Sequence, residues 1–452
     1  MPTRRWLAAV AALAALPGLR ATLGAQEPAR IALETYALPN GLKVILAPDR
    51  SSQVVAVDVW YAVGSRNETR GRTGFAHLFE HMMFQGSSNV RKAEHSTLVE
   101  QAGGESNAST AEDRTNYYQT LPSNRLNLGL WLEADRMRSL AVADSNLTNQ
   151  REAVKEERRL RVDNVPYFAT IYEGIYAIAD SVSCFPYAHS IIGSMSDLNA
   201  AKTPDVQAFF DLYYAPNNAT LTVVGDFDVA PTRALIQQYF GDIPKGNEAP
   251  QVECRAAFSP GQIRRPWLDA NANLPAVMLA YRIPDYGNAD MPALELLATI
   301  LGQGESSRIN KSVVRDRKLA QQVFAFANPF GPRRGPGVMV ALGIANQGVS
   351  ADSVEAGMAM EFVRVAQQGV TEAELAKAKN AYRTQLITQQ QQALNKAEAL
   401  QSASLFLGDP EAVNTNWRRY LAVTSDDIKR AAAAYFRAEN SLVLLITPKA
   451  GQ

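Results

Sequence analysis

Apolar and polar positions along this chain fall into units that recur. Thr203-Pro204-Asp205 opens a helical stretch that leads to Tyr213-Tyr214-Ala215-Pro216-Asn217-Asn218 and then to the apolar strand Leu221 to Val224. Thr424-Ser425-Asp426 leads in the same way to Tyr435-Phe436-Arg437-Ala438-Glu439-Asn440 and the strand Leu442 to Ile446. Each half thus ends on the same helix-turn-strand unit, which argues for a duplicated domain. Pro244-Lys245-Gly246-Asn247-Glu248-Ala249-Pro250 reads as the start of a linker. The expected division is a first domain over 26–245, a linker over 246–265 and a second domain over 266–452.

A second pattern lies in the charged stretch Gln150 to Arg161, which reads as helix. At about 100° per residue, Ala153, Val154 and Leu160 define an apolar stripe, with Glu157 roughly 20° from its centre and Glu156 roughly 80° away. Glu157 is therefore expected to point inward, where a carboxylate needs a partner to offset its burial. Glu156 is expected in solvent.

At the start of the chain, Arg4-Arg5 precede an apolar run from Trp6 to Leu16, with small residues before Gln26. That order predicts a signal peptide over 1–25 and an exported chain, periplasmic or secreted. The run is short for a bilayer span and no later segment has 18 consecutive apolar residues, so no stable membrane anchor is expected.

Composition narrows the class. A chain of 452 residues with 46% hydrophobic content can bury two or more cores. Lys+Arg and Asp+Glu balance at 45 each, so neither nucleic acid nor an anionic surface is expected as the main partner. Cys184 and Cys254 are the only cysteines; a disulfide and two buried thiols both remain open.

The chemistry-bearing motif is His77-Leu78-Phe79-Glu80-His81, which uses half of the four histidines. In a helix, residues 77 and 81 lie one turn apart on one face, so two imidazoles can hold one Zn²⁺ with Glu80 close by. Such an H-x-x-E-H pattern is the inverted zinc-protease signature, in which a carboxylate beside a metal-activated water hydrolyses peptides. A catalytic zinc site needs three protein ligands, and Glu157 is the best third candidate.

With these residues in place, the chain resembles the pitrilysin/insulinase family of inverted-motif zinc peptidases, whose other branch is the mitochondrial processing peptidase. Glu157 follows His81 by 76 residues and aligns with the family's third ligand in the context Ala153-Val154-Lys155-Glu156-Glu157. Many members carry an assisting glutamate seven residues before that ligand; here the position holds Gln150, with Glu152 close in sequence. Asn40 to Leu46 and Val54 to Ala62 resemble the family's first strands, and Gly103-Gly104-Glu105-Ser106-Asn107-Ala108-Ser109-Thr110 its substrate-binding edge strand. An exposed edge can pair with any extended peptide backbone, so Asn107 and Ala108 are the expected contacts.

The resemblance implies an α+β fold of two homologous domains, each a mostly antiparallel sheet layered with helices, enclosing an active-site chamber. It further implies a zinc endopeptidase with one Zn²⁺ per chain, held by His77, His81 and Glu157, with Glu80 as general base. In the second half, the counterpart helix Ala293 to Leu301 has no histidine and reads as packing. Arg315 matches a substrate-binding arginine of the family, but the tyrosine that accompanies it is replaced by Gln321 or Gln322. Peptide substrates are expected, together with a partner subunit, either a second copy or a metal-free homologue. The competing reading is a non-catalytic assembly or chaperone-like subunit of the same fold.

Overall fold

The computed structural model describes residues 27–180, 184–252, 254 and 261–449; the expected signal peptide lies outside them. The first sheet has six strands: β1 (Glu34–Ala37), β2 (Lys43–Pro48), β3 (Val54–Tyr61), β4 (Glu105–Thr110), β5 (Thr115–Pro122) and β6 (Ala219–Gly225), in the order β1-β2-β6-β3-β5-β4. The second has five: β7 (Ile263–Asp269), β8 (Ala276–Ile283), β9 (Ala320–Ala327), β10 (Gly337–Ala345) and β11 (Ser441–Pro448), in the order β7-β11-β8-β10-β9.

Without β1, the two orders are the same. In both, the first pair (β2 with β6, β7 with β11) is parallel and every other pair is antiparallel. The likeness extends to single residues. Tyr61 of β3 faces Ala219 at the start of β6, and Tyr281 of β8 faces Ser441 at the start of β11. Asn218 donates its amide to Tyr213 O at 2.8 Å, and Asn440 donates to Tyr435 O at 2.6 Å. This side chain holds the turn between the final helix and the final strand in each half, as the recurring sequence unit anticipates.

The halves also exchange helices. β8 is buried along its whole length and β3 at all but its first residue, so both faces of each sheet must be covered. One face packs on helices of its own half. The other receives a helix from the opposite half. Ala397 and Leu400 of the helix Ala393–Leu407 pack on Ile45, Ala47, Ala56 and Val224 of the first sheet. In return, Ile171 and Ile175 of the helix Phe168–Asp180 pack on Met278, Ala280, Leu442 and Leu444 of the second. Gly174 permits that approach: a Cβ there would lie 2.2 Å from Leu444 Cδ1.

Asp58, the one charged residue of β3, accepts hydrogen bonds from Trp60 Nε1 at 2.9 Å and Asn116 Nδ2 at 3.3 Å, which meets the demand that a buried carboxylate be partnered. Cys184 and Cys254 form a disulfide with Cα atoms 5.6 Å apart. No helix among the described residues is long and apolar enough to cross a membrane.

Candidate metal centre and catalytic site

The motif His77 to His81 lies on the helix Phe75–Met82. Phe75, Ala76, Leu78, Phe79 and Met82 are buried in the first-half core, which leaves His77, Glu80 and His81 on the remaining face. Gly74 precedes the helix with φ 85°, a left-handed conformation, and a Cβ there would lie 2.6 Å from Ile192 O, so glycine is required on both counts. Glu68 satisfies the helix start: its buried carboxylate accepts from Gly74 N at 2.8 Å and Ala76 N at 2.7 Å. A carboxylate at a helix N-terminus also meets the positive end of the helix dipole.

Glu157 arrives from the helix Asp144–Arg158, and it points inward for a different reason than the apolar stripe suggests. Ala153 is exposed and Leu160 is 62% exposed, so neither belongs to a buried stripe. The inward row is Leu147, Gln150, Val154 and Glu157, with Leu147 and Val154 buried. After Arg158 the helix widens into a π-turn over Arg159–Asp163, in which Asn164 N donates to Arg159 O at 2.9 Å. At about 100° per residue Leu160 already falls roughly 100° from the centre of that row, which leaves it facing solvent. Glu156 is exposed and pairs with Arg159 at 2.9 Å, as its position predicts.

His77 Nε2 lies 3.5 Å and His81 Nε2 3.2 Å from one atom, Glu157 Oε2. Ligands about 2.0–2.1 Å from a tetrahedral Zn²⁺ stand roughly 3.3 Å apart. The donor set and its spacing therefore fit zinc. One ligand atom from each of His77, His81 and Glu157 falls within 4.8 Å of the others, the only such group of three or more among the described residues.

Neighbours tune the cluster. His81 Nδ1 lies 3.3 Å from Gln150 Oε1, an atom with lone pairs only, so Nδ1 carries the hydrogen and donates it, leaving Nε2 free as a ligand. The amide at the assisting-glutamate position thus touches the site, whereas Glu152 is exposed and pairs with Lys155. Burial and the adjacent His81 push the His77 imidazole toward its neutral form. Burial works the same way on His81, but the hydrogen bond and charge of Glu157 outweigh it and raise that pKa. Glu157 is held below the usual carboxylate range by His81, against the effect of burial. Burial raises Glu80, although the Thr110 hydroxyl donates to its Oε2 at 2.6 Å.

Thr110 ends β4, which among the described residues pairs only with β5 and forms the edge of the sheet. Ala108 and Thr110 alternate onto the face of the zinc-type helix, with Ala108 buried in the core, while Asn107 is exposed. Arg315 is exposed on the turn Asn310–Asp316 of the second half, outside the contacts that gather His77, Glu80, His81 and Glu157. Gln321 and Gln322 are exposed on β9. A cavity of about 640 Å³ opens between the halves, lined by Trp60, Arg114, Tyr286, Glu295, Tyr382 and Glu398. It lies across the first sheet from the zinc-type helix, since Trp60 and Tyr61 point to opposite faces. The convergent donors, rather than this cavity, mark the candidate site. The contact of Thr110 with Glu80 has no signal of its own in the sequence, although alternation along β4 places Thr110 on the face of Ala108.

The chain is similar to known proteins along most of its length. Residues 43–172 match the family model described as Insulinase (Peptidase family M16), and residues 202–382 match Peptidase M16 inactive domain. The zinc protease PqqE of Helicobacter pylori is 30% identical over 443 residues, covering 95% of this chain and 97% of that protein. The crystal structure of a protease from Helicobacter pylori superposes with a TM-score of 0.86 at 28% identity, covering 92% of this chain and all 100% of that one. The periplasmic protease PqqL of Escherichia coli shares the fold, with a TM-score of 0.75 at 19% identity over 93% of this chain and 48% of that one. The M16 match spans the donor cluster, the inactive-domain match runs from the last helix-turn-strand unit of the first half into the second, and the chain belongs to the M16 (insulinase/pitrilysin) peptidase family, alongside bacterial zinc proteases.

Proposed function

We propose that the chain is a zinc-dependent endopeptidase acting on peptides and unfolded segments. The observation that carries this reading is the approach of His77 Nε2 and His81 Nε2 to Glu157 Oε2, with Glu80 on the same helix face. His77, His81 and Glu157 would hold Zn²⁺, which when bound would supply Lewis acidity toward a scissile carbonyl and a water. Glu80 provides the proton transfers. Thr110 holds its Oε2, so Oε1 is the atom that takes the proton of the attacking water and returns one to the departing amine. Burial raises its pKa.

The free edge of β4 would offer backbone donors and acceptors to an extended substrate, with Asn107 and Ala108 as the proposed contacts. That mode reads backbone rather than side chains and favours unfolded segments over folded domains. Export and a partner subunit complete the reading. The first 25 residues direct the chain out of the cytoplasm, and a second copy or metal-free homologue supplies contacts that Gln321 and Gln322 lack.

The test is zinc content and turnover of a fluorogenic peptide library by purified mature chain, before and after chelation and after zinc is restored. About one zinc per chain, with activity lost on chelation and recovered on reloading, is expected. A chain that takes up zinc and cleaves no peptide, alone or in its native complex, would favour the assembly-subunit reading.

A further inference from the structure

We propose that Arg333, in the half without the donor cluster, is a positioning residue for the reaction: through Glu112 it holds the β4–β5 turn from which Thr110 reaches Glu80. This rests on the peptidase reading above.

The turn Ala111–Arg114 closes β4 onto β5, with Ala111 N donating to Arg114 O at 2.8 Å. Its acids, Glu112 and Asp113, are both fully buried at 0% exposure, and each needs partners. The first half supplies some. Arg66 pairs with Asp113 at 2.9 Å, Tyr187 OH donates to Asp113 at 2.8 Å, and Tyr176 OH donates to Glu112 at 3.3 Å.

The rest come from the opposite half. In the loop joining β9 to β10, the Arg333 guanidinium pairs with Glu112 Oε1, and Arg334 N donates to Asp113 Oδ2 at 3.1 Å. Arg333 is 2% exposed, so this is a desolvated pair rather than a surface contact. The loop is itself fixed: Tyr286 N donates to Arg333 O at 3.0 Å, and a Cβ on Gly335 would lie 2.2 Å from the Tyr187 ring.

Thr110 immediately precedes the turn, and its hydroxyl meets Glu80 Oε2 at 2.6 Å. Removing the Arg333 charge leaves Glu112 buried without its cation, and the turn must move to hydrate it. Thr110 moves with the turn, and Glu80 with Thr110. Misplacement of about 1 Å at a reacting group can cost ~10²-fold in rate. The metal-free half thereby acquires a role in the chemistry of the other: it clamps the hairpin that carries both the substrate edge and the Glu80 hydrogen bond.

The experiment compares Arg333→Met and Arg333→Lys, each with Thr110 intact and with Thr110→Val, for kcat, KM, zinc content and amide exchange over residues 105–118. Arg333→Met should lower kcat by ~10-fold or more at unchanged zinc content. Arg333→Lys should recover part of that loss. With Thr110→Val already present, Arg333→Met should cost less than about twofold more, since both act through Glu80. Independent, multiplying losses in kcat would overturn the proposal, as would unchanged exchange at Thr110 and Ala111. Should Arg333→Met fail to fold, Arg333→Lys carries the same comparison. A wild-type chain without any hydrolysis would instead refute the peptidase reading. Exchange at the hairpin would then decide the clamp alone, faster exchange in the Arg333 variants supporting it and unchanged exchange overturning it.

Discussion

Replacing Gln150 with alanine removes the acceptor 3.3 Å from His81 Nδ1 while leaving all three zinc-type donors in place. The contact is at the long end of hydrogen-bond geometry and its acceptor is neutral, so its net worth is about 0.5–1.5 kcal/mol. That range corresponds to a roughly 2- to 13-fold weaker zinc affinity, near the lower end of the ~10–100-fold typical of partners behind a metal ligand. The amide is already oriented, because Gln150 Nε2 donates to Asn149 Oδ1 at 2.8 Å and so turns the oxygen toward His81. Gln150→Glu should act in the opposite direction, since a carboxylate acceptor makes the bond charge-assisted and roughly twice as strong. Competition against a chromophoric zinc chelator at fixed pH measures both variants. An affinity for Gln150→Ala unchanged within about twofold would refute this account of His81, as would a ~10³-fold loss equal to that of removing a ligand.

Glu157→Ala should abolish tight zinc binding and hydrolysis together, whereas Glu156→Ala should leave both nearly unchanged because that side chain is exposed; metal analysis showing the reverse would shift the third ligand by one residue. Gly174→Leu should overpack the exchanged helix against Leu444 and Met278 and cost about 3 kcal/mol or more, read as a lowered melting temperature; an unchanged value would refute the close contact. The hydrogen bonds from Arg308 hold Glu374 down to about 2 from its ordinary 4.5. A depressed carboxylate contributes stability that is complete above its ordinary range and lost as pH falls from about 4.5 toward 2. Arg308→Leu should remove about 1 kcal/mol of it near neutrality, after discounting for solvent screening, and little near pH ~2; equal losses in urea unfolding at both pH values would contradict the assignment.

Some of this was legible in the sequence because the physics is local. Two histidines four positions apart share a helix face wherever that helix lies, so His77 and His81 declare their ligand geometry before any tertiary contact is known. The paired helix-turn-strand units are legible for the same reason, down to Asn218 and Asn440 bonding back to Tyr213 and Tyr435. Of the apolar markers that point Glu157 inward, Val154 is buried and the other two are not. Ala153 and Leu160 are exposed, because the row that turns inward runs through Leu147, Gln150, Val154 and Glu157 instead. The continuous apolar run of β8 signals a strand buried on both faces, yet nothing local says that the covering helix is supplied by the other half. The pairing of Arg333 with Glu112 joins positions 221 residues apart and leaves no periodic trace. Arg315, matched by motif alone, is exposed on its turn and outside the cluster's contacts.

The most direct test of the central claim is Glu80→Gln in the purified mature chain, with zinc content and peptide hydrolysis measured on the same sample as wild type. His77, His81 and Glu157 remain in this variant, so it should retain zinc at the wild-type level. Hydrolysis should fall by about 10²–10⁴-fold, the usual worth of a positioned general base. Wild-type turnover in Glu80→Gln, or a wild-type chain that binds no zinc at all, would contradict the account.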